Sequence, residues 1–382
     1  MIKTDNSNYS VFLLTLLFIE FISNFLRAGS LPNLGIYFRL LIFGYIIFNF
    51  LLCVVTDIIN GGFRSKICIY AVVFWLYTIV IYCLNTENFS FIDMINLTTW
   101  AAVLYLFYYY GFPRTLELLN FISGAFAVIF IFLYYRYDIH GGFVGDKPGI
   151  VNGIYNLVMC VPFLLLFKNR IIKVILIAAV TLVTVQSNKA TAILMMLFTL
   201  MICFIFSGER KKKNFALIAG SAAAFVIVLI VLIRVSRLDL RELIFSNVDT
   251  GGNGRFEIWE SIFKEYNSGS FFKKLFGYGL NFSVKVTTFS AHCDFFEIIT
   301  AFGIVGFVLF LRWFVFTGKE MLINMRNRNY YYIALVVFMQ TGMIFLLSTS
   351  IFVSNYFLLL SAFIGMLSGY HKKTDSPEET KL

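Results

Sequence analysis

Charge is what this chain has least of. Only 14% of its 382 residues are Asp, Glu, Lys or Arg, 59% are hydrophobic, and mean hydropathy is +0.82. A soluble domain carries about a quarter charged residues, so a water-facing globular fold is excluded. Histidine is scarce too, with three in the chain. The six cysteines (Cys53, Cys68, Cys83, Cys160, Cys203, Cys293) are scattered with no metal or redox spacing. They read as small apolar residues rather than as a zinc site or a dithiol centre. No small-residue cleavage site follows the first apolar run, and Glu20 interrupts that run, so it reads as a retained first span. No internal repeat is evident, nor a pair of broken apolar segments at matching places in two halves, the pattern of repeat-built transporters. The net charge of +10 would suggest nucleic acid in a soluble protein. In a membrane protein it marks cytoplasmic loops, and no nucleic-acid partner is expected.

Apolar runs and aromatics are abundant, with 46 Phe and 21 Tyr. Runs of roughly 17–25 residues suffice to cross a bilayer as helices. Twelve such spans are expected, at about 10–27, 34–56, 67–84, 94–110, 116–136, 150–167, 170–187, 189–206, 214–233, 294–316, 330–348 and 352–369. The fold class is therefore an all-α polytopic membrane protein. Spans one to nine fill 1–233, a large external loop fills 234–293, three more spans fill 294–370, and a polar cytoplasmic tail fills 371–382.

Lys and Arg in short loops set the orientation. With the N-terminus inside, seventeen basic residues fall on the cytoplasmic side, among them the Arg210–Lys213 run, and four fall in short outside loops. Both termini are then cytoplasmic, and the 234–293 loop faces the periplasm or exterior. That loop carries eight basic residues, including Arg234, Arg237 and Arg255. Guanidinium forks match phosphate oxygens bidentately, so the loop suits a phosphorylated ligand. It equally suits amphipathic helices lying on anionic headgroups.

His292 opens the tenth span, where Ser290-Ala291 could cap a helix and Asp294 and Glu297 sit in its first turns. A histidine within reach of carboxylates there suits a general base for a hydroxyl nucleophile, and equally an interfacial histidine bonded to a carbonyl. Arg255 follows Gly251-Gly252-Asn253-Gly254 and starts a helical pattern with Phe256, Trp259 and Phe263 on one face. Those aromatics suit membrane anchoring or stacking on a sugar. Asn152, in the loop before the sixth span, and Lys189, at the outer end of the seventh and eighth, can line the same cavity. Arg39 and Glu20, inside spans, are costly unless paired or facing a cavity, and are candidates for a structural ion pair at least as much as for a site.

Five short motifs in order carry a resemblance. They are Asn253-Gly-Arg255-Phe-Glu-Ile-Trp259, Phe276-Gly-Tyr278-Gly279, Ser290-Ala-His292, Asp294-Phe-Phe-Glu297 and Gly303-Ile-Val-Gly306. Together they resemble the large periplasmic loop of the O-antigen ligase and polymerase superfamily. Asn152-Gly-Ile-Tyr155 and Ser187-Asn188-Lys189 resemble its central spans, so the resemblance covers roughly 145–310. It implies a helical bundle like that of the C-type glycosyltransferases. The implied reaction is inverting glycosyl transfer from an undecaprenyl-diphosphate-linked oligosaccharide to a sugar hydroxyl, outside the inner membrane, with no metal or other cofactor. It implies His292 as base, with Arg255 and Glu297 in the catalytic set. Lys189, Arg234, Arg237, Asn152, Tyr155, Tyr278 and Asp294 would bind substrate, with membrane lipid around them and a chain-length regulator protein as a partner to expect. Ser187-x-Lys189 and Asn152-x-x-Tyr155 favour the Wzy-type repeat-unit polymerase, making O-antigen or capsule, over the O-antigen ligase, which transfers to lipid A core. A lipid-linked oligosaccharide flippase is the alternative from another class. It would be expected to place its cations along a central cavity rather than in one loop. Two positions depart from the family pattern: Ala190 stands where an arginine is common, and Cys293 where asparagine is usual.

The expected topology predicts that a reporter fused after Lys213 reads cytoplasmic and one after Ser268 reads periplasmic; reversal of either breaks the span assignment.

Overall fold

The computed structural model describes residues 7–28, 32–63, 65–85, 91–111, 116–136, 153–187, 189–206, 255–325, 331–348 and 356–369. Among them all regular structure is helical. Eight helices precede the loop: α1 (Ser7–Ala28), α2 (Pro32–Ile59), α3 (Lys66–Leu84), α4 (Phe91–Tyr110), α5 (Leu116–Arg136), α6 (Ile154–Leu164), α7 (Arg170–Gln186) and α8 (Ala190–Phe206). Three short ones follow, α9 (Arg255–Ser268), α10 (Phe271–Phe276) and α11 (Phe282–Thr287), then α12 (Asp294–Met325), α13 (Tyr331–Leu347) and α14 (Tyr356–Ser368). Eleven of the twelve expected spans coincide with a helix; the ninth, at 214–233, lies outside the described residues, as does the 371–382 tail. Among the described residues, four segments are long and apolar enough to cross a bilayer: Tyr37–Ile59, Lys66–Leu84, Leu118–Arg136 and Asp294–Met325.

The helices pack around an aromatic core where α4, α12, α13 and α14 meet. Trp100 and Trp313 stand edge to face at 5.4 Å, Phe310 and Phe345 at 5.1 Å, and Phe357 fills the gap beside both tryptophans. Such pairs add to the burial of large rings. Of the two roles open to Glu20 and Arg39, the structure shows the ion pair. Arg39 Nε is 3.5 Å from Glu20 Oε1, its Nη2 donates to Asn96 Oδ1 at 3.1 Å, and its guanidinium lies over the Phe43 ring. The pair ties α1, α2 and α4 together at a depth where a lone charge would be costly.

Two helices are interrupted, and each interruption positions the site. The sixth expected span shortens to α6, eleven residues with Pro162 inside. Proline has no N–H to give the carbonyl four residues back. That carbonyl, Val158 O, instead accepts Gln340 Nε2 at 3.3 Å, and the same amide nitrogen lies 2.8 Å from Thr199 Oγ1. One buried side chain of α13 thus fastens α6 and α8. The second interruption is in α12 at Gly303, whose backbone (φ 68°, ψ −175°) is not helical. The carbonyls freed just before the break are taken by the Phe276-Gly-Tyr-Gly279 turn. Tyr278 N–H donates to Thr300 O at 3.0 Å and Gly279 N–H to Ala301 O at 2.9 Å. Tyr77 Oη of α3 donates to Phe302 O at 2.7 Å. Buried carbonyls away from water need partners of this kind.

The turn and the break touch through bare backbone. A Cβ on Gly277 would sit 2.2 Å from Ala301 O, and one on Gly303 would sit 2.3 Å from Leu275 O. Both residues also have positive φ, which disfavours any side chain.

Gly303→Ala should therefore lower stability by about 3 kcal/mol, read as a fall in the thermal unfolding midpoint of the detergent-solubilised protein. Gly44→Ala is the control: it sits in α2 with nothing within 4 Å of an added Cβ, and alanine is the better helix former by about 1 kcal/mol. Its midpoint should hold or rise slightly.

Candidate functional site

The described part of the loop, 255–293, folds as a small unit on the first turns of α12. Its core is Ile262, Tyr266, Phe282 and Ala291, with Ile258, Trp259, Tyr278, Val286 and Phe296 packed around it. The buried stripe of α9 is thus Ile258, Ile262 and Tyr266 with Trp259 beside it, at i, i+4 spacing. Phe256 and Phe263, expected on the same face as Trp259, point outward and are more than half exposed. Hydrophobic character alone does not separate the inward aromatics from the outward ones.

Trp259 stacks on Phe296 at 5.1 Å, and its Nε1–H donates to Ala291 O at 2.6 Å. From the other side, Ala291 N–H donates to Glu297 Oε1, also at 2.6 Å. Both carboxylate oxygens of Glu297 are 2.7 Å from Ser283 Oγ of α11. The residue before His292 is therefore held at both its N–H and its carbonyl. His292 itself adopts a left-handed backbone (φ 51°), uncommon for a residue with a side chain and sustained only where the surroundings impose it. Glu297 acts here as a buckle across the loop. Asp294 is fully buried at the first helical position. Tyr278 belongs to the loop core: its ring stacks on Phe282 at 4.3 Å and its hydroxyl donates to Tyr266 O at 3.2 Å.

Arg255, Lys189, His292 and Tyr155 converge. Lys189 lies in the turn between α7 and α8, Tyr155 in the first turn of α6, and Arg255 at the start of α9. Arg255 Nη1 donates to Leu347 O, the last residue of α13, at 3.3 Å. The buried Tyr155 hydroxyl is hydrogen-bonded to Thr191 and Ser348. The three helices contributing these ends, α6, α8 and α13, are those fastened by Gln340. Neither Ser348 nor Thr191 stands out in the sequence as a site residue. Thr191 lies within the Lys189-Ala-Thr-Ala stretch, whereas Ser348 follows an apolar span with no motif around it. Arg234, Arg237 and Asn152 lie outside the described residues.

The electrostatics are those of an anion site. Burial, then the Arg255 charge, pushes the Lys189 ammonium below its ordinary value. The His292 imidazole, packed on one side although the residue keeps an exposed edge, is pushed down by burial, then by Arg255 and Lys189. Among the described residues no carboxylate lies within ion-pair distance of Arg255 or Lys189. Arg255 disfavours the charged form of Lys189, and both disfavour that of His292, an arrangement a bound anion would relieve. The shift favours the unprotonated imidazole of His292, the form that accepts a proton.

Residues 174–311 match the family model described as O-antigen ligase, Wzy_C. No curated protein matches the chain. The matched segment runs from α7 into α12 and holds Lys189, Arg255, Tyr278, His292, Asp294 and Glu297. Tyr155 and Ser348 fall on either side of it. Over that segment the resemblance to the O-antigen polymerase and ligase superfamily is supported.

The titration of His292 offers a direct check. Its pKa is lowered in the fold, so protonation opposes folding; stability is full above the unfolded value of about 6.5 and declines as pH falls below it toward the folded value. Arg255→Gln removes one of the repelling charges and should move the His292 titration upward, as followed by NMR of histidine-labelled protein with His292→Gln for assignment. An unmoved titration would separate the two residues.

Proposed function

We propose that this protein transfers a glycan from a polyprenyl-diphosphate carrier to a sugar hydroxyl at the outer face of the cytoplasmic membrane, and that it does so as a repeat-unit polymerase. The observation carrying this reading is the convergence of Arg255, Lys189 and a neutral His292 beside the Tyr155 hydroxyl, within and beside a segment that matches the O-antigen ligase family. The loop residues then face the periplasm or exterior, and both termini face the cytoplasm.

The roles follow from where charge develops. As the anomeric C–O bond to the diphosphate breaks, negative charge builds on the leaving phosphate, and fixed cations are favourable there. Arg255 can approach with a planar fork and Lys189 with a point charge. The acceptor hydroxyl forms the new C–O bond on the opposite face of the sugar and gives its proton to His292. The anomeric centre inverts, and the carrier departs as the diphosphate. Glu297, Trp259 and Ser283 act through His292 by holding Ala291 and the loop, which makes them positioning residues. Tyr278 holds the loop core and remains a proposed substrate contact. Arg234, Arg237, Asn152 and Asp294 remain proposed substrate contacts.

Asn152-x-x-Tyr155 and Ser187-x-Lys189 favour the polymerase. The description of the matching family favours the second reading, ligation to lipid A core. A flippase finds no support in that match.

Surface-polysaccharide gels of a deletion strain complemented by variants test both readings. Core plus a single repeat in the deletion, restored to a ladder by the gene, is expected of a polymerase. Loss of every repeat with lipid-linked polymer accumulating identifies a ligase. Arg255→Ala and His292→Ala should each cut product by about two orders of magnitude or more at normal protein levels. Lys189→Arg should keep activity where Lys189→Ala loses it; a normal ladder from either alanine variant of Arg255 or His292 refutes the site.

A further inference from the structure

At the far end of the bundle from the Arg255 cluster, α3 and α12 flank an open surface cavity of about 220 Å3 lined by Lys66, Phe316, Lys319, Glu320, Ile323 and Asn324. Its level can be set from α3. That helix starts at Lys66 and ends beside Asn85, whose side-chain oxygen accepts Lys273 Nζ of the loop unit at 2.9 Å. Its nineteen residues span about 28 Å, close to the roughly 30 Å of bilayer hydrocarbon. The cavity thus sits one hydrocarbon thickness from the loop, at the headgroup level of the other leaflet.

Its chemistry is asymmetric. Glu320 is held from the protein side, with Ser65 Oγ at 2.8 and 2.9 Å from its two oxygens and Tyr108 Oη at 3.2 Å. Lys66 and Lys319 are exposed and ion-paired with no described residue. Above them the wall turns apolar and aromatic. Tyr70 stacks on Phe316 at 4.9 Å and Arg312 lies over the Tyr70 ring at 5.5 Å, whereas Ile323, one turn past Lys319 toward the end of α12, is 55% exposed at the outer rim. Two such ammonium groups, a carboxylate with acceptor capacity to spare and an amide, beneath a greasy aromatic wall, match a phosphodiester bearing a hydroxylated headgroup and an acyl chain. We infer that this cavity binds the headgroup of an anionic phospholipid of the phosphatidylglycerol type in the leaflet opposite the candidate active site. Lys66 and Lys319 take the phosphodiester, Glu320 and Asn324 the headgroup hydroxyls, and Phe316 and Tyr70 flank the first acyl carbons, with Ile323 at the outer rim of the headgroup site. Basic pockets between helices at a membrane surface are suited to such headgroups. The headgroup site stands whether or not the loop transfers glycans.

The test is native mass spectrometry of the full chain in detergent, titrated with phosphatidylglycerol, phosphatidylcholine or inorganic phosphate. One saturable phosphatidylglycerol site is expected, with phosphatidylcholine at least tenfold weaker and millimolar phosphate failing to displace the lipid. Lys66→Gln with Lys319→Gln should weaken it by about tenfold or more, while Arg255→Gln, at the other end, leaves it unchanged. Should the double variant lose its fold, judged by thermal midpoint, Ile323→Trp provides the second route: it keeps both lysines, fills the cavity mouth and should also displace the lipid. Equal binding of both lipids, displacement by free phosphate, or full affinity in the folded variants would each overturn the assignment.

Discussion

A bilayer offers a broken helix no water, so every carbonyl released by a break must find a donor inside the protein. Much of this structure follows from meeting that demand twice. At Pro162 the donor is a side chain, Gln340, and the result is that α6, α8 and α13 are held at a common height. At Gly303 the donors are the backbone N–H groups of Tyr278 and Gly279 in the loop turn, so the loop unit is sewn onto α12. The polar ends that matter lie on elements joined by these two repairs.

Between them sits an electrostatic arrangement that gives up stability. Arg255 disfavours the charge of Lys189, and both disfavour that of His292, with no described carboxylate close enough to compensate. A protein selected for stability alone would place an acid there, as it does for Arg39 with Glu20 in the same bundle. The contrast between a cation neutralised in one place and two left uncompensated in another is what separates scaffold from site.

Much of the scaffold could be read from hydropathy, because run length and helix length answer to the same bilayer thickness. Arg39 and Glu20 could be singled out from cost alone, as an ion pair or as a site, and the contact between them decides for the pair. The cluster itself was half legible: Arg255, Lys189 and His292 stood out as ionisable residues in an apolar chain, whereas Ser348 and Thr191 are too common to notice. Trp259 and Tyr278 also brace the loop, a packing role that one-dimensional aromatic patterns do not show. Glu297 also clasps the loop, for its partners Ser283 and Ala291 come together only when α11 folds back. The break in α12 was hidden by its own composition: an uninterrupted apolar run conceals one residue with a non-helical backbone.

The face-to-face glycines at 277 and 303 also bear on how such a chain can change over generations. Each leaves no room for a methyl group because of the other's neighbouring backbone, so neither position has an acceptable single-step replacement while the opposing segment stays put. The exposed residues of α12 meet no such limit, whereas these two sites, well separated along the chain, constrain each other. Losing either detaches the loop from its helix, and with it the histidine that the loop holds in place.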